Sequence, residues 1–402
     1  MTESRTDVPH LPCPPPRVVS STADVESVAR EVERAARVAV DIESNGMFVY
    51  HARTCVVQLS WDAEIVVIDA ISASLAPLER ALGDAGPIKV VHDVAFDARM
   101  LAESGIALGN VHDTSICARM LGHAATGLAS MLASALGVVI RKEMQHHDWS
   151  LRPFDDQALA YLATDVAHLA ALDDALFGGA RERGIEEEVL EETRYRIATA
   201  TESAKTPDLR PPYVRVKGIE RAKGPELAIM RGLAAVRERE AERRDVPPHK
   251  VMPAEAMLAV ARSRPATLAQ LRRVRGSPSN DAVAEEMLRA VIDGLAAGSI
   301  PDDERVWFER PRVPREELDA RRQRESRLTA WRRDEAKRRK VDEQVVLPGH
   351  CVREIAEHGA DRPEDLARVP GLGTFRVERD GEAIVRALRG EHVAEVAPEV
   401  SE

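Results

Sequence analysis

The C-terminal half of this chain repeats itself, and that repeat constrains the fold more tightly than any other feature. Glu240–Pro253 (EAERRDVPPHKVMP) matches Glu335–Pro348 (EAKRRKVDEQVVLP) at seven of fourteen positions, with a constant offset of 95. The same offset carries Leu271, Val274 and Gly276 onto Leu366, Val369 and Gly371. Each copy opens on an amphipathic helical pattern, passes a proline-marked turn and reaches L-x-x-V-x-G before another helix. Two copies of one small all-helical domain are the simplest reading. A chain of 402 residues suits two or three domains, so the N-terminal half is free to form a fold of its own.

That half alternates strand and helix signals. Apolar segments at 37–42, 54–60, 64–69 and 89–91 read as strands, with helical periodicity between and after them, which predicts an α/β domain: a mixed sheet flanked by helices. Residues 196–225 lack clear periodicity and hold several Pro and Lys, so the linker is expected there. The expected organisation is a disordered tail over 1–18, the α/β domain over 19–195, helical domains over 226–300 and 301–391, and a second disordered tail over 392–402. Hydrophobic content of 44% with only 3% aromatics implies cores built mostly from Ala, Leu and Val. No apolar run is long enough to span a bilayer, and the N-terminus MTESRTDVPHLPCPPPRV is polar and proline-rich rather than signal-like, so a soluble, cytoplasmic protein is expected, with no membrane partner. Cys13, Cys55, Cys117 and Cys351 show neither a zinc spacing nor a disulfide framework, and Cys55 and Cys117 read as buried thiols. His92, His112, His146 and His147 have no matching ligand spacing, so structural or surface roles are expected of them.

Five residues point to chemistry. In RVAVDIES, Asp41 and Glu43 follow a buried apolar run, and the two-residue period of a strand puts both carboxylates on one face. Asp97 lies about one turn into the helical segment AFDARMLAES, just after the 89–91 strand. Tyr161 and Asp165, four apart in QALAYLATDVAHLAALDDAL, share one face of a helix. Any one of these acids alone reads as a solvated or capping residue; a set able to converge on one pocket does not. Clustered carboxylates repel one another and resist desolvation unless a cation neutralises them. Mg²⁺ and Mn²⁺ are hard ions suited to such oxygen ligands, and a pair of them can clamp the attacking and leaving oxygens of a phosphodiester. A tyrosine hydroxyl beside them can align the attacking water.

The D-x-E, the single Asp and the Y-x-x-x-D resemble the three exonuclease motifs of the DEDD superfamily, in its tyrosine-bearing subgroup. The succession Asp113-Thr114, Gly127 to Ala129, Lys142, Gln145, Asp148, Trp149, Arg152 and Pro153, then Tyr161 and Asp165, is similar to the ribonuclease D family over roughly residues 20–195. The helical copies, through ARSRPATLAQLRRVRG and DRPEDLARVPGLGTFRVERDG, resemble the HRDC domain that accompanies that catalytic domain. The resemblance implies a ribonuclease H-like exonuclease sheet. It also implies two divalent metal ions, Mg²⁺ or Mn²⁺, held by Asp41, Glu43, Asp97 and Asp165, with Glu43 also near the terminal 3′ hydroxyl and Tyr161 positioning water. Lys142, Gln145 and Arg152 would contact substrate. The implied activity is removal of nucleotides from RNA 3′ ends as nucleoside 5′-monophosphates, with tRNA precursors or other structured RNA as partners and a monomer as the working state. Ser44 and Asn45 stand where some family members carry an aromatic residue, a departure that touches substrate preference rather than the ligands.

Net charge of −11 means that phosphate would be held by local basic surface rather than by the protein's overall field. The stretch from Arg310 to Lys340 holds thirteen Lys and Arg against six Asp and Glu, which in isolation reads as a salt-bridged helix face. No P-loop, helicase motif or nucleophile elbow is present, so neither ATP nor covalent catalysis is expected. An RNA 3′–5′ exonuclease is the leading expectation, a DNA exonuclease of the same chemistry the second, and a non-catalytic RNA-binding protein the third.

Overall fold

The computed structural model describes residues 14–140, 144, 146–309 and 313–391. The chain divides into two compact units: Met1–Glu43, Thr54–Thr206 and Val313–Glu402 form one, Ser44–Arg53 and Pro207–Arg312 the other. Among the described residues no helix is long and apolar enough to cross a membrane.

The first unit is built on six strands: β1 (Arg17–Val19), β2 (Arg37–Ser44), β3 (Thr54–Trp61), β4 (Glu64–Asp69), β5 (Ile88–Val91) and β6 (Val111–Asp113). They lie in the order β1-β4-β3-β2-β5-β6. β1 and β4, β2 and β5, and β5 and β6 pair in parallel, whereas β3 and β4 are antiparallel, so the sheet is mixed as expected. Val38, Ala39, Val40 and Ile42 of β2 are all buried, because helices cover both faces of this central strand. The covering helices are α1 (Thr22–Val32), α2 (Val94–Glu103), α3 (Thr114–Met120), α4 (Asp156–Ala167), α5 (Leu169–Glu182) and α6 (Glu186–Lys205).

Several boundaries differ from expectation; the first helical copy, for one, runs past the expected end at 300, with Phe308 packed on its core and its unit reaching Arg312. Arg17 and Val18, placed in a disordered tail by their proline-rich surroundings, add β1 to the sheet edge beside β4; residues 1–13 and 392–402 lie outside the described residues. The supposed linker is also structured. Residues 196–205 complete α6, and Tyr213, Val216, Ile219 and Ala222 enter the core of the second unit on two short 3₁₀ turns. Short turns of this kind have no helical periodicity, so burial alone reveals them.

The second unit packs α7 (Pro225–Arg243), α8 (Ala254–Ser263) and α9 (Asp281–Ala297) around Ile229, Met230, Leu233, Met257, Leu271, Met287 and Val291. It includes residues 44–53, the stretch that follows Glu43. Asn45 closes this loop by accepting from Arg53 N–H at 3.0 Å, and Tyr50 ties it to α7 through a hydroxyl donated to Glu238 at 3.1 Å.

The second helical copy, α10 (Arg315–Arg339), α11 (Gly349–His358) and α12 (Thr374–Arg389), belongs to the first unit. It has its own core of Leu328, Leu347, Cys351, Ile355, Leu366, Ile384 and Leu388, yet Val345 is buried in the core of the sheet domain. Much of the arginine-rich run of α10 is spent on internal contacts. Arg324 donates to the carbonyls of Ala356 and Glu357 and Arg327 to that of Leu388, satisfying carbonyls at helix ends, and Arg332 donates to that of Glu343.

Candidate active site

Each acidic residue is carried by an element whose local sequence explains its placement. Asp41 and Glu43 project from the same face of β2 at the end of its buried run. Asp97 lies in the first turn of α2, where a carboxylate is favoured by the helix N-terminus. Asp113 secures that helix. Its buried carboxylate accepts from Val94 N–H at 2.9 Å and Asp93 N–H at 3.3 Å, and also caps α3 through Ser115 N–H at 2.8 Å and Ile116 N–H at 3.1 Å. α4 starts at Asp155, whose side chain accepts from Ala158 N–H at 2.7 Å, and presents Tyr161 and Asp165 one turn apart.

These elements converge. Asp41, Glu43, Asp97, Tyr161 and Asp165 all line one cleft of about 370 Å³, with His92, Asp93, Phe96, Ile140 and the Gly127–Ala129 turn. Carboxylate oxygens of Asp41, Glu43 and Asp165 lie within 4.8 Å of one another. Among the described residues the cleft wall holds no Lys or Arg to neutralise these groups. Protons do so instead. Burial pushes Asp41 up to about 7 against the pull of the Ile42 N–H, and burial together with the charges of Asp41 and Asp165 pushes Glu43 up to about 9. Asp97 and Asp165 are also raised well above the ordinary carboxylate range, by burial first and the Asp41 charge second. A hard divalent cation meets this donor set directly: all-oxygen, closely spaced, partly desolvated and short of positive charge.

Tyr161 is held from behind. Its ring stacks on Trp149 with centroids 5.6 Å apart, and Trp149, only 2% exposed, packs with Cys55, Val56, Val67, Ala158 and Leu162. Its hydroxyl hydrogen-bonds Asp165. Burial, then the charges of Asp165, Glu43 and Asp41, raises the phenol further, so it stays a neutral donor.

Arg152, expected among the substrate contacts, is a structural support of this wall. Its guanidinium donates to the carbonyls of Trp149 (2.7 Å), Leu151 (2.8 Å) and Cys55 (3.0 Å) and to Asp69 (2.5 Å), and it lies over the Phe154 ring at 4.0 Å. With both of its terminal nitrogens engaged in this way, it fixes the loop that carries Trp149. Lys142 and Gln145 lie outside the described residues. His92, for which spacing suggested no site role, does reach the cleft. Thr114 donates its hydroxyl proton to Val91 O at 2.8 Å, so the 2.8 Å contact between His92 Nδ1 and Thr114 Oγ1 makes Nδ1 the donor. The one sequence signal for His92 is its place at the end of β5, directly before the helix that bears Asp97. Cys55, Cys117 and Cys351 are buried free thiols.

A mixed sheet whose central strand and flanking helices bring four carboxylates and a tyrosine into one cleft, followed by helical repeats, defines a 3′–5′ exonuclease with accessory helical domains. Comparison agrees: residues 16–177 match the family described as 3′–5′ exonuclease, and residues 226–291 and 321–388 each match the HRDC domain. The chain is 30% identical over 294 residues to ribonuclease D of Gluconacetobacter diazotrophicus, covering 72% of this chain and 74% of that one. It is 29% identical to ribonuclease D of Nitrobacter hamburgensis, over 69% and 74% of the two chains. The chain belongs to the ribonuclease D family of 3′–5′ exoribonucleases. Its fold is shared with a protein from Bifidobacterium adolescentis (TM-score 0.72, 23% identity, 94% of this chain and 97% of that chain). It is shared too with Escherichia coli RNase D, described as an exoribonuclease involved in structured RNA processing (TM-score 0.66, 20% identity, 93% and 99%).

Proposed function

We propose that the chain hydrolyses RNA from its 3′ end with the help of two divalent ions, Mg²⁺ or Mn²⁺, releasing nucleoside 5′-monophosphates and trimming tRNA precursors or other structured RNA as a cytoplasmic monomer. The observation that carries this reading is the convergence of Asp41, Glu43, Asp97, Asp165 and Tyr161 on one cleft that, among the described residues, holds no Lys or Arg. Asp41, Glu43, Asp97 and Asp165 would hold the metal ions. When bound, such ions supply charge stabilisation for the attacking and leaving oxygens of the phosphodiester. The protein's own part is positional. Tyr161, neutral and backed by Trp149, offers its hydroxyl to orient a water molecule, while Asp165 fixes the direction of that hydroxyl. Glu43 accepts from the terminal 3′ hydroxyl, which restricts attack to chain ends. Asp113 keeps α2, and therefore Asp97, at the register the cleft requires.

The test is digestion of matched 5′-labelled single strands of RNA and DNA with Mg²⁺, Mn²⁺ or chelator, with Asp41→Ala as control. A metal-dependent ladder shortening from the RNA 3′ end, absent in the variant, is the expected result. Equal cleavage of DNA would replace RNA by nucleic acid in general. No cleavage of either strand, or an active Asp41→Ala protein, would overturn the reading.

A further inference from the structure

The two helical copies differ at the turn they share. In the second copy the turn leads through Gly371 and Gly373 into α12, and there it receives a carboxylate from the exonuclease domain. Glu191 of α6, 5% exposed, accepts from Phe375 N–H at 2.9 Å through one oxygen and from Arg376 Nη1 at 2.9 Å through the other. Arg376 is completely buried and also donates to Val345 O at 3.2 Å and Glu188 O at 3.1 Å. The contact is close: a Cβ on Gly373 would overlap the Glu191 carboxyl, and one on Gly371 would overlap His350 and Tyr195. Beside it His350 stacks on Tyr195 at 4.0 Å, and Glu188 takes Arg339 and Arg379, each at 2.5 Å. The 95-residue offset puts Asp281 at the place of Arg376 and Pro278 at that of Gly373. In the first copy, therefore, the helix start carries an acid, which pairs with Arg272, and an Asn280 side chain that already caps it. The receptor for Glu191 exists in one copy alone.

α6 in turn packs along α2, the helix of Asp97, and its Val189 and Ala200 share one core with Ala98, Met100 and Leu101 of α2 and with Val345 of the second copy. We propose that the second helical copy is a positioning element of the catalytic unit: Arg376 and the start of α12 grip Glu191, and through the core shared by α6 and α2 this grip holds Asp97 in place in the acidic cleft. Glu191 and Arg376 touch neither substrate nor metal, so both are positioning residues. A buried ion pair of this geometry contributes little net stability compared with an apolar pair but strongly specifies one arrangement, and that arrangement is what a ligand set needs.

The inference rests on the nuclease reading for its kinetic readout and not for its binding readout. Glu191→Gln, Arg376→Met and Glu191→Ala would be prepared as full chains, checked for folding by circular dichroism, and compared with wild type in RNA trimming and in calorimetric Mn²⁺ binding. Displacement of one ligand by a fraction of an ångström should lower kcat roughly tenfold to a hundredfold and weaken Mn²⁺ by about tenfold, with KM for RNA within about twofold. Acetate, which fits the space left in Glu191→Ala, should restore Mn²⁺ affinity where chloride at equal ionic strength does not. Folded variants with wild-type kcat and Mn²⁺ affinity, whatever their stability, would overturn the proposal, as would Glu191→Ala that acetate fails to restore. Should wild type itself not cut RNA, the nuclease reading fails, and the Mn²⁺ and acetate measurements still decide the role of the grip.

Discussion

Metal binding by this cleft must release protons, and the amount can be worked out. Without a cation Glu43 titrates near 9 and Asp41 near 7, against ordinary values of 4.5 and 3.8. At pH 7 an ion must displace the Glu43 proton, which lies about two units above ambient and so costs about 2.7 kcal/mol, while Asp41 is about half ionised. From Glu43 and Asp41 alone, apparent affinity should therefore rise about a hundredfold between pH 7 and pH 9 and more steeply below pH 7 where Asp41 joins, and displaced protons of Asp97 and Asp165 can only steepen the rise. The sign for stability runs the other way. Both folded pKa values lie above the unfolded ones, so the metal-free native state holds more protons between pH 4 and pH 9 and loses stability as pH rises through that window. Added Mn²⁺ binds the ionised form and reverses the loss. Calorimetric titration of Mn²⁺ at pH 7, in two buffers of different ionisation enthalpy, measures the protons released, and Glu43→Gln should flatten the slope between pH 7 and pH 9. No proton release at pH 7 together with an affinity constant from pH 6 to pH 9 would refute the reasoning.

Two further outcomes follow from the same geometry. Tyr161→Phe removes the hydroxyl and leaves the ring on Trp149, so turnover should fall by a factor of roughly 10²–10⁴ while Mn²⁺ affinity is unchanged; a fully active variant would remove Tyr161 from the mechanism. Arg152→Met leaves Asp69 buried without its guanidinium and should cost about 3–5 kcal/mol in urea unfolding at pH 7, with KM for RNA unchanged. Burial would raise Asp69, but Arg152, Ser72 and the Ile71 N–H together hold it down at about 2, so its contribution is present above pH 4 and is lost as pH falls toward 2. The variant should accordingly unfold at a higher pH on acidification, and an unchanged acid midpoint would show that Arg152 is not the support described.

The residues that line the acidic cleft were legible because their signals are local. Asp41 and Glu43 sit two apart on an apolar strand, Tyr161 and Asp165 sit four apart on a helix, and the repeat offset alone announced two helical copies. Motif position says that Arg152 matters and not what it touches; only the positions of Cys55, Asp69 and Trp149 in space reveal a support. That His92 reaches the cleft could not be read from its spacing, since its hydrogen bond to Thr114 joins residues of different elements.

By itself, then, the sequence determined the strands and helices that carry the clustered acids, the chemistry of those side chains and the duplication of the helical domain, all of which follow from periodicities of two and 3.6 residues and from side-chain type. Tertiary structure alone decided which carboxylates share a cleft, which arginines are spent inside the protein, and that Ser44–Arg53 folds with the second unit while the second helical copy joins the first. The physical reason is range. Backbone preferences act over a few residues, whereas the grip of Arg376 on Glu191 spans 185 positions and exists only once burial has removed water from both charges.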